Sequence, residues 1–131
     1  MKPDKKINLL ALILFTLLLV GYSLEGYTQT LEDVRTYLED STDIKHKDIV
    51  LRQSILETGH YKSYSCRIRK NLFGFRYKGK YLEFNSWKES IDYYEGWQKR
   101  KYKGGDYFTF LKQVGYATDK AYVSKLKGIR L

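Results

Sequence analysis

Glu57 closes an apolar stretch that carries Ile49, Val50, Ile55 and Leu56, and Gly59 follows it. Read as a helix that Gly59 terminates, the stretch puts the Glu57 carboxyl group in the last turn. The carbonyl end of a helix dipole is negative and opposes ionisation there, and apolar neighbours add a desolvation cost. Both effects hold a proton on the carboxyl group. An acid still protonated near neutral pH can give that proton to a leaving oxygen, the step that cleavage of a glycosidic bond requires.

Such a cleavage needs a second participant. Retaining enzymes place another carboxylate about 5 to 5.5 Å from the acid and inverting ones roughly 6.5 to 9.5 Å away, while a third group uses the substrate's own N-acetyl oxygen as nucleophile. Glu83 is the only acidic residue between Glu57 and Trp87. It is the candidate second carboxylate, although a solvent-facing strand position is its default reading. The remaining reactive side chains offer less. Cys66 is the one cysteine, and with only His46 and His60 as partners no third orienting residue is apparent, so a buried structural thiol is expected. No His and Cys cluster suggests a metal site and no glycine-rich phosphate loop follows a strand, so no cofactor is expected.

Positioning Glu57 falls to a mainly α-helical chain. Thr30 and Asp33 form a capping box, and Leu31, Val34, Tyr37 and Leu38 recur at helical spacing, which predicts a first helix to about Asp40. Ile49, Val50, Gln53, Leu56 and Glu57 fall on or near one face of a second. From Phe73 to Phe84 aromatic and basic residues alternate around Lys78-Gly79-Lys80, which predicts a hairpin or an irregular extended loop. Ser86 with Glu89 caps a third helix whose apolar stripe is Trp87, Ile91, Tyr94 and Trp97, expected to fade over Gln98 to Lys103 before Gly104-Gly105. Asp106 caps a fourth helix with Phe110, Leu111 and Val114, ending at Gly115; Thr118 opens a fifth with Tyr122, Leu126 and Ile129. Asp119 reads as a favourable first-turn charge on that last helix. Aromatic residues at helical spacing, Trp87, Tyr93, Tyr94 and Trp97, are expected mostly in the core, and Tyr61, Tyr64, Tyr77 and Tyr81 are the candidates for lining a groove.

Residues 1–29 differ from the rest. Lys2, Lys5 and Lys6 precede an apolar run from Ile7 to Val20, shorter than the roughly 18 residues of a confident membrane span, and small residues follow at Gly21 and Ser23. These are the parts of a signal peptide, with an uncleaved membrane anchor as the alternative. One exported domain over residues 30–131 is expected, in the periplasm or cell envelope, monomeric and touching a membrane only through the N-terminal segment. The chain has 24 Lys and Arg against 15 Asp and Glu; three of the former and two of the latter precede residue 29, which leaves the domain near +8. A basic, tyrosine-rich domain is steered towards polyanions. Export favours the acidic polymers of a cell wall over nucleic acid, so no nucleic-acid partner is expected.

Three words in the sequence point further. Gln53-Ser54-Ile55-Leu56-Glu57-Thr58-Gly59, then Asn71-Leu72-Phe73-Gly74-Phe75-Arg76, then Tyr116-Ala117-Thr118-Asp119 with Tyr122 and Leu126, together resemble the glucosaminidase family, glycoside hydrolase family 73. The resemblance covers roughly residues 31 to 131. It implies a lysozyme-like helical fold with a small hairpin lobe, and cleavage of the β-1,4-linked glycan strands of peptidoglycan. By position it makes Glu57 the catalytic acid, puts Asn71, Phe73 and Gly74 at the substrate with Tyr77 on the adjoining hairpin, and brings Tyr116 near the catalytic centre. Tyr122 matches a further aromatic at the site, better suited to packing than to catalysis. Glu83 would answer to the second glutamate that many members carry in the hairpin lobe. Phe73 and Gly74 have a plainer reading as the shapers of a turn. Lys70, His60 and Lys120 stand where the family often has asparagine, tryptophan and proline, departures that touch substrate contacts more than the fold. A glycan-binding module with a degenerate cleft is the alternative function.

Overall fold

The structure, a computed structural model, describes residues 29–116 and 118–131. Residues 1–28, on which the expected signal peptide or anchor falls, lie outside the described residues. Among those described, no helix is long and apolar enough to cross a membrane. Six helices and one two-stranded antiparallel hairpin build the described domain, so the expected mainly α-helical architecture with a small hairpin lobe is present.

Helix α1 (Leu31–Ser41) opens with the expected capping box: Thr30 Oγ1 accepts from the Asp33 amide at 3.2 Å, and Asp33 Oδ2 accepts from the Thr30 amide at 2.7 Å. Its buried side, Val34 and Leu38, packs with α2 (Lys47–Thr58). One buried face was the expectation for α2, yet Ile49, Leu51, Gln53, Ser54, Ile55 and Thr58 are all buried, around most of the circumference. A helix enclosed on all sides is a core element, and its buried hydroxyls are satisfied locally: Ser54 Oγ donates to Leu51 O and Thr58 Oγ1 to Ser54 O, each at 2.6 Å. Glu57 therefore projects from the central helix of the domain.

Past Glu57 the chain turns abruptly. Gly59 caps α2 in the left-handed region, and His60 and Tyr61 continue there at φ 59° and 64°. For residues with a Cβ this conformation costs about 1–2 kcal/mol each. Three hydrogen bonds hold it: Tyr61 N donates to Thr58 Oγ1 at 2.8 Å, and the Lys62 and Ser63 amides donate to Thr58 O at 3.1 and 3.0 Å. The Tyr61 hydroxyl is bonded to Ser54 Oγ at 2.7 Å, and the ring is buried. Tyr61 is thus a core residue that fixes the helix end, and the expectation that it lines a groove is corrected.

No apolar period announces α3 (Tyr64–Arg67), a single turn capped by Ser63. It buries Cys66 as expected, with Gln29 Nε2 donating to Sγ at 2.8 Å, and burial pushes the thiol pKa up, away from the reactive thiolate. Strands β1 (Arg76–Tyr77) and β2 (Lys80–Tyr81) pair antiparallel, and Lys78 and Gly79 between them both have positive φ, the two-residue turn whose twist suits a hairpin. Glu83 lies beyond β2, exposed, outside the strand in which it was expected.

Helix α4 (Trp87–Lys101) is capped by Ser86 and does not fade at Gln98. Gln98 is buried and clasps both backbone groups of Lys45, accepting from its amide at 2.7 Å and donating to its carbonyl at 2.9 Å; Lys99, Arg100 and Lys101 then meet the negative end of the helix dipole. Helix α5 (Tyr107–Gln113) is capped by Asp106, whose Oδ2 accepts from the Thr109 amide at 2.8 Å. Helix α6 (Tyr122–Gly128) starts at Tyr122 rather than Thr118. Asp119 accordingly stands before the helix instead of in its first turn, accepting from the Ala121 amide at 2.9 Å and from Lys125 Nζ at 2.6 Å.

Candidate active site

The Glu57 carboxyl group lies against Gly74. A Cβ added at Gly74 would sit 2.9 Å from Glu57 Oε2 and 3.6 Å from Cδ, and the φ of 68° there also favours glycine. Close approach to the carboxyl group, beyond the turn alone, is what requires glycine at this position.

Two side chains hold Gly74 in place. Asn71, which the resemblance placed at the substrate, is buried; its Nδ2 donates to Phe75 O at 2.9 Å and Leu82 O at 3.1 Å, and its Oδ1 accepts from the Phe75 amide at 3.2 Å. Both donors of the amide are taken, so Asn71 laces the neck of the hairpin lobe and has no N–H left for a sugar. Tyr116 donates its hydroxyl to Phe73 O at 2.5 Å, and burial pushes its pKa well above the ordinary phenol value. That hydroxyl is committed to the backbone beside Gly74. Phe73 itself is 1% exposed and packs in the core against Tyr94, with ring centroids 4.6 Å apart and the rings tilted by 49°.

On the other side Tyr122 hydrogen-bonds the Glu57 carboxyl group. Packing was its expected role, and its buried ring does stack on Tyr116 at 5.8 Å; its hydroxyl, however, belongs to the acid. Behind it runs a buried chain of polar groups whose direction is determined from the far end. Gln98 is oriented by the Lys45 backbone, so its Nε2 is the group that donates to the Tyr107 hydroxyl at 3.0 Å. The Tyr107 hydrogen then goes to the Tyr94 oxygen, 2.5 Å away, and the Tyr94 hydrogen to Gln53 Oε1, also at 2.5 Å. Gln53 is thereby left with Nε2 towards Tyr122, donating at 3.2 Å, and the Tyr122 hydrogen points to Glu57. The chain thus ends with the Tyr122 hydroxyl beside the Glu57 carboxyl group.

Two opposing effects act on that proton. Glu57 is half-buried, and loss of solvation pushes its pKa above the ordinary carboxylate value, while the Tyr122 hydrogen bond pulls it down. Burial is the larger. Replacing Tyr94 by Phe removes the middle hydroxyl and leaves Gln53 Oε1 and the Tyr107 hydrogen without partners. The expected result is a loss of about 1–3 kcal/mol of stability, read as a lower urea midpoint; an unchanged midpoint would show that the buried chain contributes nothing.

A groove of about 360 Å³ opens beside Gly74, lined by Phe73, Phe75, Arg76, Trp97 and Tyr116, within the roughly 300–1,000 Å³ of ligand sites. The groove-lining role expected of hairpin tyrosines passes to other residues. Tyr77 is 64% exposed and Tyr64 59%, and neither they nor Tyr81 line it, whereas Trp97, expected in the core, does. Among the described residues no acidic side chain lines the groove itself, and Glu57 meets it only through Gly74. Among the described residues no group of three His, Cys, Asp or Glu is placed to hold a metal ion. The sequence singled out Glu57, Gly74, Tyr116 and Tyr122 but missed Gln98 and Tyr107 and gave Gln53 no task. The one signal available was a glutamine at an otherwise apolar helix position, the mark of a buried polar group that must find partners.

A mainly helical, lysozyme-like domain with a hairpin lobe, a groove and a half-buried carboxyl group against a glycine of that groove has the build of a glycosidase. The family model Glucosaminidase, described as mannosyl-glycoprotein endo-beta-N-acetylglucosaminidase, matches residues 32–130, and the chain belongs to that family. Comparison with curated proteins and with solved structures returned no match. The family is one of glycosidases, which supports glycan hydrolysis as the general activity, and every residue of the candidate site lies within the matched span.

Proposed function

We propose that the protein is an endo-β-N-acetylglucosaminidase that cuts peptidoglycan strands, with Glu57 as general acid. The observation that carries this is the half-buried Glu57 carboxyl group, its pKa raised by burial, set against Gly74, a groove residue that has no side chain. Gly74 leaves room for a sugar oxygen to approach, and Glu57 passes its proton to the glycosidic oxygen as the bond to the anomeric carbon breaks. Glu83 is exposed beyond β2 and is not among the residues that line the groove, and this reading gives the attack on that carbon from the opposite face to the acetamido oxygen of the N-acetylglucosamine being released. Water then opens the cyclic intermediate, and Glu57, now ionised, takes up the water's proton. The basic, leader-like N-terminal segment supports action outside the cytoplasm, at the cell envelope.

Digestion of purified wall sacculi, borohydride reduction and mass spectrometry test the bond. New ends reduced to N-acetylglucosaminitol are expected; N-acetylmuramitol ends would reassign the cut. Protein that sediments with sacculi yet produces no new reducing ends over a long digestion would make the domain a glycan-binding module. NMR of the first-formed product should show a retained β-anomer, and an inverted product rules out the acetamido step.

A further inference from the structure

Between Glu57 and Glu83 the chain carries seven lysines and arginines and no acidic residue. The fold gathers part of this charge on the lobe made by α3 and the hairpin, and pins it to aromatic rings. Arg69 Cζ lies 5.1 Å from the ring centroid of Tyr64 and 5.1 Å from that of Tyr81. On the same Tyr81, Arg76 Cζ lies 4.0 Å from the centroid, and Arg76 Nη2 donates to the Tyr81 hydroxyl. Two guanidinium groups therefore share one ring and are separated by no more than the sum of those two distances. The Arg69 backbone is tied across the neck, its carbonyl accepting from the Phe84 amide at 2.9 Å.

Among the described residues neither Arg69 nor Arg76 is in an ion pair. The three ion pairs among the described residues, Arg35–Glu32, Lys99–Glu95 and Lys125–Asp119, all lie elsewhere. A guanidinium held over a ring keeps several N–H donors in one plane, the arrangement that pairs with a carboxylate in two parallel hydrogen bonds. Arg76 also lines the groove beside Gly74, so the charged lobe is continuous with the groove. A neutral glycan in that groove would offer these arginines only hydroxyl groups.

We propose that the Tyr64–Arg69–Tyr81–Arg76 lobe is a binding site for carboxylate groups carried on the glycan that the groove holds. The inference rests on the glycosidase reading of Glu57. Continuity with the groove favours substituents of the same chain that is cut over a separate phosphate-rich wall polymer.

The test compares wall glycan freed of phosphate polymers with the same glycan after its carboxylates have been converted to amides. Amidation should raise the KM of the wild-type protein about tenfold with kcat little changed. Arg69→Gln should raise KM on the untreated glycan by a similar factor and add nothing further on the amidated one, since the contact is already lost there. Amidation probes the contact without altering the protein, so a misfolded variant does not blunt the test. Arg69→Lys keeps the charge but not the planar stacking group and should not restore the wild-type KM. Equal KM values for the two glycans in the wild type, or an equal effect of Arg69→Gln on both, overturns the proposal; so does a preference that is present only while the phosphate polymer is attached. The same comparison made as equilibrium binding by Glu57→Gln separates the two claims: preference for the untreated glycan by a protein that in wild-type form cuts neither sinks the glycosidase reading and leaves the anion site standing.

Discussion

Glu57→Gln is expected to lower the rate of glycan cleavage by about 10²–10⁴-fold, the range typical of removing a general acid. Glutamine keeps the shape of the side chain, can still accept from Tyr122 and still fits against Gly74, so the fold should survive and the loss should fall on kcat. The wild-type rate should decline on the alkaline side as Glu57 ionises, at a pH above the ordinary carboxylate range because burial raises its pKa. That limb should be missing from whatever activity the variant retains. A variant that lyses sacculi at the wild-type rate would remove Glu57 from the mechanism.

The same substitution has a stability signature of known sign. Folded Glu57 holds its proton to a higher pH than it does in the unfolded chain, where the carboxyl pKa is near 4.3. Between those two pKa values the native state binds more protons, so its stability falls as pH rises. Glutamine cannot ionise and escapes this loss. Glu57→Gln should therefore be more resistant to urea than the wild type at neutral pH, with the advantage disappearing below about pH 4. An advantage that grows towards acid pH would contradict burial as the cause of the shift.

Gly74→Ala is expected to lower activity at least tenfold as well as stability. The added methyl group lands 2.9 Å from Glu57 Oε2, and the φ of 68° adds left-handed strain, of order 1–3 kcal/mol for a non-glycine residue. The carboxyl group must shift from its place against residue 74, and misplacement by about an ångström is enough to cost roughly a hundredfold. Gly105→Ala is the control. Gly105 has a φ of 88° with nothing within 4 Å of an added Cβ, so it should lose stability alone and keep wild-type kcat. Wild-type turnover in Gly74→Ala would mean that the contact between Glu57 and Gly74 has no part in catalysis.

Much of this site was legible in the sequence because its signals are local. Thr30, Ser86 and Asp106 act on amides three residues away, and all three caps are present. Gly59 stops its helix by its own backbone freedom, which placed Glu57 in the last turn without knowledge of any neighbour. What failed has the opposite character. Tyr61 is buried through a bond to Ser54, Asn71 is consumed by carbonyl groups on both sides of the hairpin, and α4 persists past Gln98 because Lys45, in a distant loop, receives its amide. Apart from Phe75, four residues from Asn71, none of these partners is near in sequence.

The sequence by itself determined that the chain would be helical with a small hairpin, that a glutamate would end the second helix, and that basic charge would crowd the stretch between Glu57 and Glu83. Each follows from spacing, capping and composition, which act over a few residues. Only the tertiary structure decided what those features face: that Gly74 meets Glu57 Oε2, that a chain from Gln98 to Tyr122 aims its hydrogens at the acid, and that Trp97 rather than Tyr77 lines the groove. Desolvation and hydrogen-bond direction depend on atoms brought together from α2, α4, α5 and α6, and no local pattern encodes which of them will meet.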